Sequence, residues 1–346
     1  MTAATPGLDP QRVGKWLGER LDGARPPFDF QLIAAGGSNL TYRVSDALGR
    51  AWALRRPPVT GVLATAHDVA REWRIIEALA RHTDVPVPSA VVRCDDFEVT
   101  DAPFYVMGFV DGLIMRTDAD ASVLSAGEAD RATDSLVDVQ IAFHDVDPDA
   151  IGLGDLGRHD HYVERQLHRW RTQVARSGVR ELPLLDELHG RLSRTVPQES
   201  GRTGLAHGDY RFDNTVLGRD RRVAAVLDWE LCTIGDPVAD FCWSLLYWAD
   251  PGDPCPFLPS SPTLASVFPR RADVARRYAE RSGRDLSALG WFTAFGYWKM
   301  ACIVEGVYGR RLKGALGGAP EGDLDSIAVR VELLLEQAAD AARRVC

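Results

Sequence analysis

The sequence predicts an α+β protein in which an antiparallel sheet with one inserted helix precedes a mostly helical region. Three observations lead there. Strand-like runs crowd into the first 110 residues, and long segments of helical apolar period fill the remainder. The 346-residue length suits about two lobes at ~150 residues each. The division expected is 1–110 for an N-terminal lobe and 111–346 for a C-terminal lobe. Hydrophobic residues at 45% and charged residues at 26% allow a sizeable core and exclude disorder as the main state.

Asp9-Pro10 reads as an N-cap followed by proline at the first helical position, opening a helix to about Leu21 that Pro26-Pro27 stops. Strands are expected over Phe28 to Ala35 and Leu40 to Ser45, joined by Gly36-Gly37-Ser38-Asn39. A third runs from Ala51 to Arg55 and ends at Pro57-Pro58. Apolar or small residues at 69, 70, 73, 76, 79 and 80 give Asp68 to Arg81 a helical period. Val91-Val92 and Phe104 to Val110 supply two further strands. Beyond Asp111, helical patterns cover roughly 126–144, 160–177, 181–194, 237–249, 267–281, 286–308 and 323–344. Two short strands, Thr215 to Leu217 and Val223 to Leu227, interrupt them.

Forty basic against 49 acidic residues leave a net charge of −9, which disfavours a nucleic-acid partner. No run approaches ~18 apolar residues, so no membrane-spanning helix is expected. Met1 to Leu21 carries charges through its apolar residues and lacks the core of an export signal. The six cysteines show no C-x-x-C pair and read as reduced thiols in a cytoplasmic protein.

The two short strands bracket the residues that carry chemistry. His207-Gly208-Asp209-Tyr210-Arg211-Phe212-Asp213-Asn214 holds H-x-D-x-x-x-x-N, the spacing of the protein-kinase catalytic loop. Asp228 follows 19 positions after Asp209, in Leu227-Asp228-Trp229-Glu230. Phosphoryl transfer needs a carboxylate to accept the hydroxyl proton and hard oxygen ligands for Mg²⁺. Asp209 fits the base, and Asn214 and Asp228 fit the metal ligands. Gly37, Ser38 and Asn39 lie in a glycine-rich turn able to present N–H groups to phosphates. Arg55 ends the third strand where a cation reaches the α- and β-phosphates, with Arg56 as the alternative. Glu72 on the inserted helix is its candidate partner. Protein kinases use lysine at that strand position; arginine keeps the charge. Asp236-Pro237 opens a helix in whose first turn Asp240 sits among apolar residues, which predicts a hydrogen-bonded brace for the catalytic loop.

With these residues in place, the chain resembles the aminoglycoside phosphotransferase family of the protein-kinase-like superfamily, from about residue 28 to about 310. Tyr162 to Leu167 and Asp228-Trp229-Glu230 make it most similar to the phosphotransferase-like domain that some proteins carry ahead of an acyl-CoA dehydrogenase domain; no dehydrogenase domain is expected here. The resemblance implies a bilobal kinase-like fold with ATP between the lobes and its adenine against hinge backbone near Met107 to Phe109. It also implies that Asp209 is the base, that Asn214 and Asp228 bind Mg²⁺, and that His207 packs the loop. Trp229-Glu230 stand where kinases have glycine, so no kinase-style activation switch is expected.

The acceptor stays open. An aminoglycoside pocket should be acidic, yet residues 251–346 hold 13 bases and 11 acids. The acid excess falls in 95–155, 15 acids against 2 bases, and reads as a solvated face. A hydroxyacyl thioester or another neutral or anionic alcohol therefore competes with an aminoglycoside. His159, His161 and His168 have poor spacing for a shared metal. Trp291, Phe292, Phe295, Tyr297 and Trp298 read as core, and Lys299 and Glu305 as places where that helix meets solvent or substrate. A pseudokinase-type nucleotide-binding or interaction module without transfer is the alternative function; Arg55 is its one supporting feature.

Overall fold

The computed structural model describes residues 5–35, 39–58, 69–198, 203–253, 257–258, 260–314 and 322–345. The chain opens with α1 (Pro10–Gly18), where Asp9 Oδ1 accepts hydrogen bonds from the backbone N–H of Gln11 and Arg12, and then forms β1 (Asp29–Ala35), β2 (Leu40–Ser45), β3 (Ala51–Arg56), α2 (Val69–His82), β4 (Ala90–Cys94) and β5 (Phe104–Gly108). The five strands make one antiparallel sheet in the order β1-β2-β3-β5-β4.

Strand alternation sorts this sheet into two faces. Tyr42, Val44, Leu54, Phe104 and Val106 pack with Val13, Trp16 and Leu17 of α1. Ala53, Tyr105 and Met107 join α2 and the helical region in the other core. The register pairs Arg55 with Tyr105 and Ala53 with Met107, so Arg55 belongs to the second face. Arg56 turns the other way: it is buried, bonded to Pro57 O, Thr100 and Asp101.

The helical region contains α3 (Asp118–Ala121), α4 (Ala126–His144), α5 (Tyr162–Ser177), α6 (Pro183–Arg194), β6 (Gly204–Ala206), β7 (Thr215–Leu217), β8 (Val223–Val226), β9 (Thr233–Gly235), α7 (Pro237–Leu246), α8 (Arg271–Ser282), α9 (Leu289–Leu312) and α10 (Gly322–Val345). β6 pairs with β9, and β7 with β8, both antiparallel. The β6–β9 pair was not anticipated: each strand carries a glycine, which weakens its strand signal. Trp291, Phe292, Phe295, Tyr297 and Trp298 are buried, as expected. Glu305 is not at solvent; it is buried and paired with Arg180.

The acidic stretch lies at the surface, as its sequence reading has it, since none of its 15 acids is buried. Asp130, Asp134 and Asp138 on α4 face Arg277 and Arg281 of α8, and Asp145 pairs with Arg284. Three of these acids thus also form an ion-pair array between two helices. Composition alone could not supply its partners, which lie about 140 residues away in sequence. No described helix is long and apolar enough to cross a membrane. Cys94, Cys232, Cys242 and Cys302 are free and buried.

The connection from the sheet crosses β7, where Leu113 and Leu217 exchange backbone hydrogen bonds of 2.9 Å. Gly112 makes this approach possible, because a Cβ there would stand 2.3 Å from Leu217 O and 2.5 Å from Val216 Cγ1. Gly112→Ala should push the connection off β7 and lower stability by about 1–3 kcal/mol, the usual cost of overpacking, measured as a fall in the urea midpoint.

Candidate active site

A hairpin and a helix assemble the predicted constellation. β7 and β8 pair Thr215 with Val226, and Leu227 N–H donates to Asn214 O at 2.8 Å. The register thus carries Asn214 and Asp228 to the same end of the hairpin, although they are far apart in number. Asp228 takes a left-handed backbone (φ 62°) as β8 gives way to the 3₁₀ turn Trp229–Leu231, a conformation that aspartate tolerates better than most residues. Asn214 Nδ2 donates to Asp209 O and to Asp209 Oδ2, both at 2.8 Å. This leaves Asn214 Oδ1 without a protein donor among the described residues.

Asp240 braces the loop from below, as the sequence predicts. It is fully buried in the first turn of α7, and its carboxylate accepts from Gly208 N–H at 2.9 Å and His207 N–H at 3.2 Å. His144 Nε2 lies 3.1 Å away. His207 packs the loop as expected: its Nδ1 accepts from Asp209 N–H, which leaves Nε2–H to donate to Leu227 O at 3.0 Å. Gly208 has φ 82°, and a Cβ there would crowd Leu231. Phe143, Tyr210 and Trp229 form an aromatic bed around His207.

From the sheet, Arg55 Nη2 stands 2.5 Å from Asp228 Oδ1 and 3.7 Å from Glu230 Oε2, and Nε stands 2.9 Å from Glu72 Oε2. The Glu72 contact lies off the N–H direction, so it is ionic and not a directed hydrogen bond. Glu72 is buried. Burial pushes its carboxyl up while the Arg55 charge pulls it down. α2 also holds the turn after Asp228, since Arg71 Nη1 donates to Glu230 O at 3.1 Å. Asn39 is buried and donates from Nδ2 to Glu230 Oε2 at 3.1 Å. Gly37 and Ser38 lie outside the described residues. Met107 shares the Arg55 face of the sheet, opposite Ala53 and Ala90. Phe109 follows the last sheet pair, under the Arg43 guanidinium at 4.9 Å.

With this geometry in place, comparison with known proteins gives one family. The model of the phosphotransferase enzyme family, APH, matches residues 29–289. The chain belongs to that family. It is 32% identical over 305 residues to acyl-CoA dehydrogenase family member 10 of Mus musculus, covering 85% of this chain and 27% of that relative. The chain therefore spans about a quarter of that relative's length. A crystal structure from Ralstonia eutropha, described provisionally as an aminoglycoside phosphotransferase, superposes with a TM-score of 0.81 at 29% identity, covering 97% of this chain and 98% of that one. A ternary complex of an aminoglycoside phosphotransferase with streptomycin and ATP shares the fold, with a TM-score of 0.59 at 13% identity over 87% of this chain and 91% of that one.

The APH chain also contains site residues that the sequence reading missed. Arg211 Nε lies 3.3 Å from Asp209 Oδ1, and Arg211 Nη1 lies 2.8 Å from Asp213 Oδ2. The Tyr247 hydroxyl faces the Asp209 carboxylate; loss of solvent, then that charge and hydrogen bond, hold the phenol well above its ordinary value. Glu230 adds a carboxylate beside Asp228. Only Arg211 and Glu230, inside the quoted motifs, left a sequence signal. The donor set fits a hard divalent cation: an amide oxygen with no protein donor, a carboxylate in a constrained turn, and one guanidinium among three carboxylates. His159, His161 and His168 form no such set; no group of three or more His, Cys, Asp or Glu is arranged for a metal among the described residues.

Asp240 and His144 make the APH fold sensitive to acid. Burial opposes ionisation of Asp240, but the His144 hydrogen bond, the nearby histidines and the Gly208 N–H outweigh it and hold the carboxyl below its ordinary 3.8. Burial pulls His144 below its ordinary 6.5 against the Asp240 charge. Both groups therefore lend stability that is complete above those values. It declines as pH falls below 6.5 for His144 and below 3.8 for Asp240. Asp240→Asn should lower stability at neutral pH by about 3 kcal/mol and flatten the acid limb of a stability profile from urea unfolding.

Proposed function

We propose that the chain is an ATP- and Mg²⁺-dependent phosphotransferase of the cytoplasm that moves the γ-phosphate to a hydroxyl of a small molecule. The observation that carries this reading is the pairing of Asp209 with Asn214 and, through the β7–β8 register, with Asp228. Asp209 is about a quarter exposed, with Oδ2 fixed by Asn214 and Oδ1 beside Arg211. In that position it accepts the proton of the acceptor hydroxyl as the acceptor oxygen bonds to phosphorus and ADP leaves.

Asn214 Oδ1 and the Asp228 carboxylate are the groups that would hold Mg²⁺, which when bound supplies positive charge across the phosphates. Arg55, fixed by Glu72, is the cation for the α- and β-phosphates. It must release Asp228 Oδ1 as nucleotide and metal arrive. Gly37, Ser38 and Asn39 are the turn proposed for phosphate, and Met107 to Phe109 the backbone proposed for adenine. The fold shared with a streptomycin–ATP complex supports the nucleotide, and the family supports a small-molecule acceptor.

Asp209→Asn should lower turnover by about 10²–10⁴, the usual worth of a general base, with nucleotide affinity kept. ADP release measured across a panel of hydroxy compounds tests this, and equal turnover removes Asp209 from the mechanism. Asp228→Ala should weaken Mg²⁺-nucleotide binding itself, read by calorimetry with and without Mg²⁺. The second reading, a nucleotide-binding module without transfer, draws on the 2.5 Å contact of Arg55 with Asp228, which occupies a proposed metal ligand. Nucleotide binding that is indifferent to Mg²⁺, with no ADP formed on any acceptor, would favour it.

A further inference from the structure

Helix α9 carries a buried cation with no carboxylate in contact among the described residues. Lys299 is 8% exposed, and among the described residues its Nζ has neither an ion pair nor a hydrogen bond. Nζ stands 3.6 Å from the centroid of the Trp243 ring on α7 and 5.9 Å from that of Trp170 on α5. The other buried acids and bases with printed contacts are matched: Asp46 by Arg50, Arg56 by Asp101, Glu72 by Arg55, Glu305 by Arg180, and Asp240 by His144 and two N–H groups. Indole faces attract an ammonium but offset only part of its lost hydration. Packing alone would favour leucine or methionine at this position.

A second unmatched donor lies beside it. Trp243 Nε1 is buried and turned toward the Tyr247 hydroxyl, but without hydrogen-bond geometry. Trp243 and Tyr247 are four residues apart on one face of α7, their rings 5.8 Å apart, and Tyr247 meets the Asp209 carboxylate. A chain of contacts thus runs from Asp209 through two aromatic rings to Lys299. Arg169, next to Trp170 on α5, is exposed and has no ion pair among the described residues. Burial draws the Lys299 ammonium down to about 8, with Asp240 and Asp209 sustaining it and Arg169 opposing it, so at neutral pH it keeps its charge.

We infer that Lys299, Trp243 Nε1–H and Arg169 form an acceptor subsite for an oxyanion, so that the phosphate acceptor is an alcohol that itself carries a carboxylate or a phosphate. The inference rests on the phosphotransferase reading, and it excludes a polycationic amino sugar as the preferred acceptor, because three donors and two positive charges lie at that end of the chain of contacts.

The chain has three lysines, Lys15, Lys299 and Lys313, which makes the test selective. With lysine ¹³C-labelled in the full chain and Mg-ADP saturating the cleft, the Lys299 Cε resonance, assigned by its absence in Lys299→Arg, is followed as inorganic phosphate is added. A saturable shift is expected, weakened about tenfold in the exposed variant Arg169→Gln, the worth of one charge-assisted contact. Calorimetry should find this phosphate binding lost in Lys299→Met and retained in Lys299→Arg. No shift, a shift that chloride at equal ionic strength reproduces, or phosphate binding unchanged in a folded Lys299→Met would overturn the subsite. If Lys299→Met does not fold, an Arg169→Gln titration indistinguishable from the parent overturns it instead. Failure of Mg-ADP to bind at all counts against the phosphotransferase reading, and is seen separately in the calorimetry before any phosphate is added.

Discussion

One buried carboxylate organises the loop from His207 to Asn214. Asp240 sits in the first turn of α7, where the N-terminal end of a helix favours negative charge, and it gathers the N–H groups of His207 and Gly208 together with His144 Nε2. A buried charge is tolerable only when its oxygens are satisfied, so the loop cannot leave Asp240 without exposing an unpaired anion to the core. His207 passes the constraint on, since its Nδ1 accepts from Asp209 N–H and its Nε2–H donates to Leu227 O, next to Asp228. The residues proposed for proton transfer and for the metal are thus positioned by an anion that touches neither side chain.

Above the loop the electrostatic problem is reversed. Arg55 is surrounded by Glu72, Asp228 and Glu230, more negative charge than one guanidinium neutralises. Arginine stays protonated under any such conditions, whereas lysine titrates when buried. The arrangement holds the two halves of the cleft together across α2, β3 and the turn after β8, and it keeps the Asp228 oxygens ordered. It also defines what a ligand must do there: bring positive charge to the carboxylates and give Arg55 other oxygens to bind.

The site was legible in sequence wherever short-range backbone geometry sets it. His207 to Asn214 closes through hydrogen bonds five residues apart or fewer, so its spacing survives as a motif. Asp240 was legible for a different reason, because an acid among apolar residues in a first helical turn must find donors. The choice between Arg55 and Arg56 was not legible: adjacent strand residues point to opposite faces, and only the register opposite Tyr105 says which face meets α2. Tyr247 approaches Asp209 from a helix end almost forty residues on, with no local pattern to mark it. The α4 aspartates lie at the surface as read, but their pairing was not legible, because the arginine partners on α8 belong to a different part of the chain. The long helices followed from apolar period, and the bounds of β1 to β3 from the Gly and Pro residues beside them; β6 and β9 each carry a glycine and gave no such signal.

Lys299 and Arg55 place the same formal charge in opposite surroundings, and the contrast explains why each residue type suits its position. Arg55 lies among carboxylates, where its charge is secured by pairing and a planar fork can serve several oxygens at once. Lys299 lies between indole rings, with Asp240 and Asp209 acting on it only at a distance. Its ammonium is therefore sustained in part by the carboxylate that braces the catalytic loop and by the one proposed to receive the proton. Any change that neutralises Asp240 therefore weakens the loop and also removes one of the two carboxylate charges that favour the Lys299 ammonium.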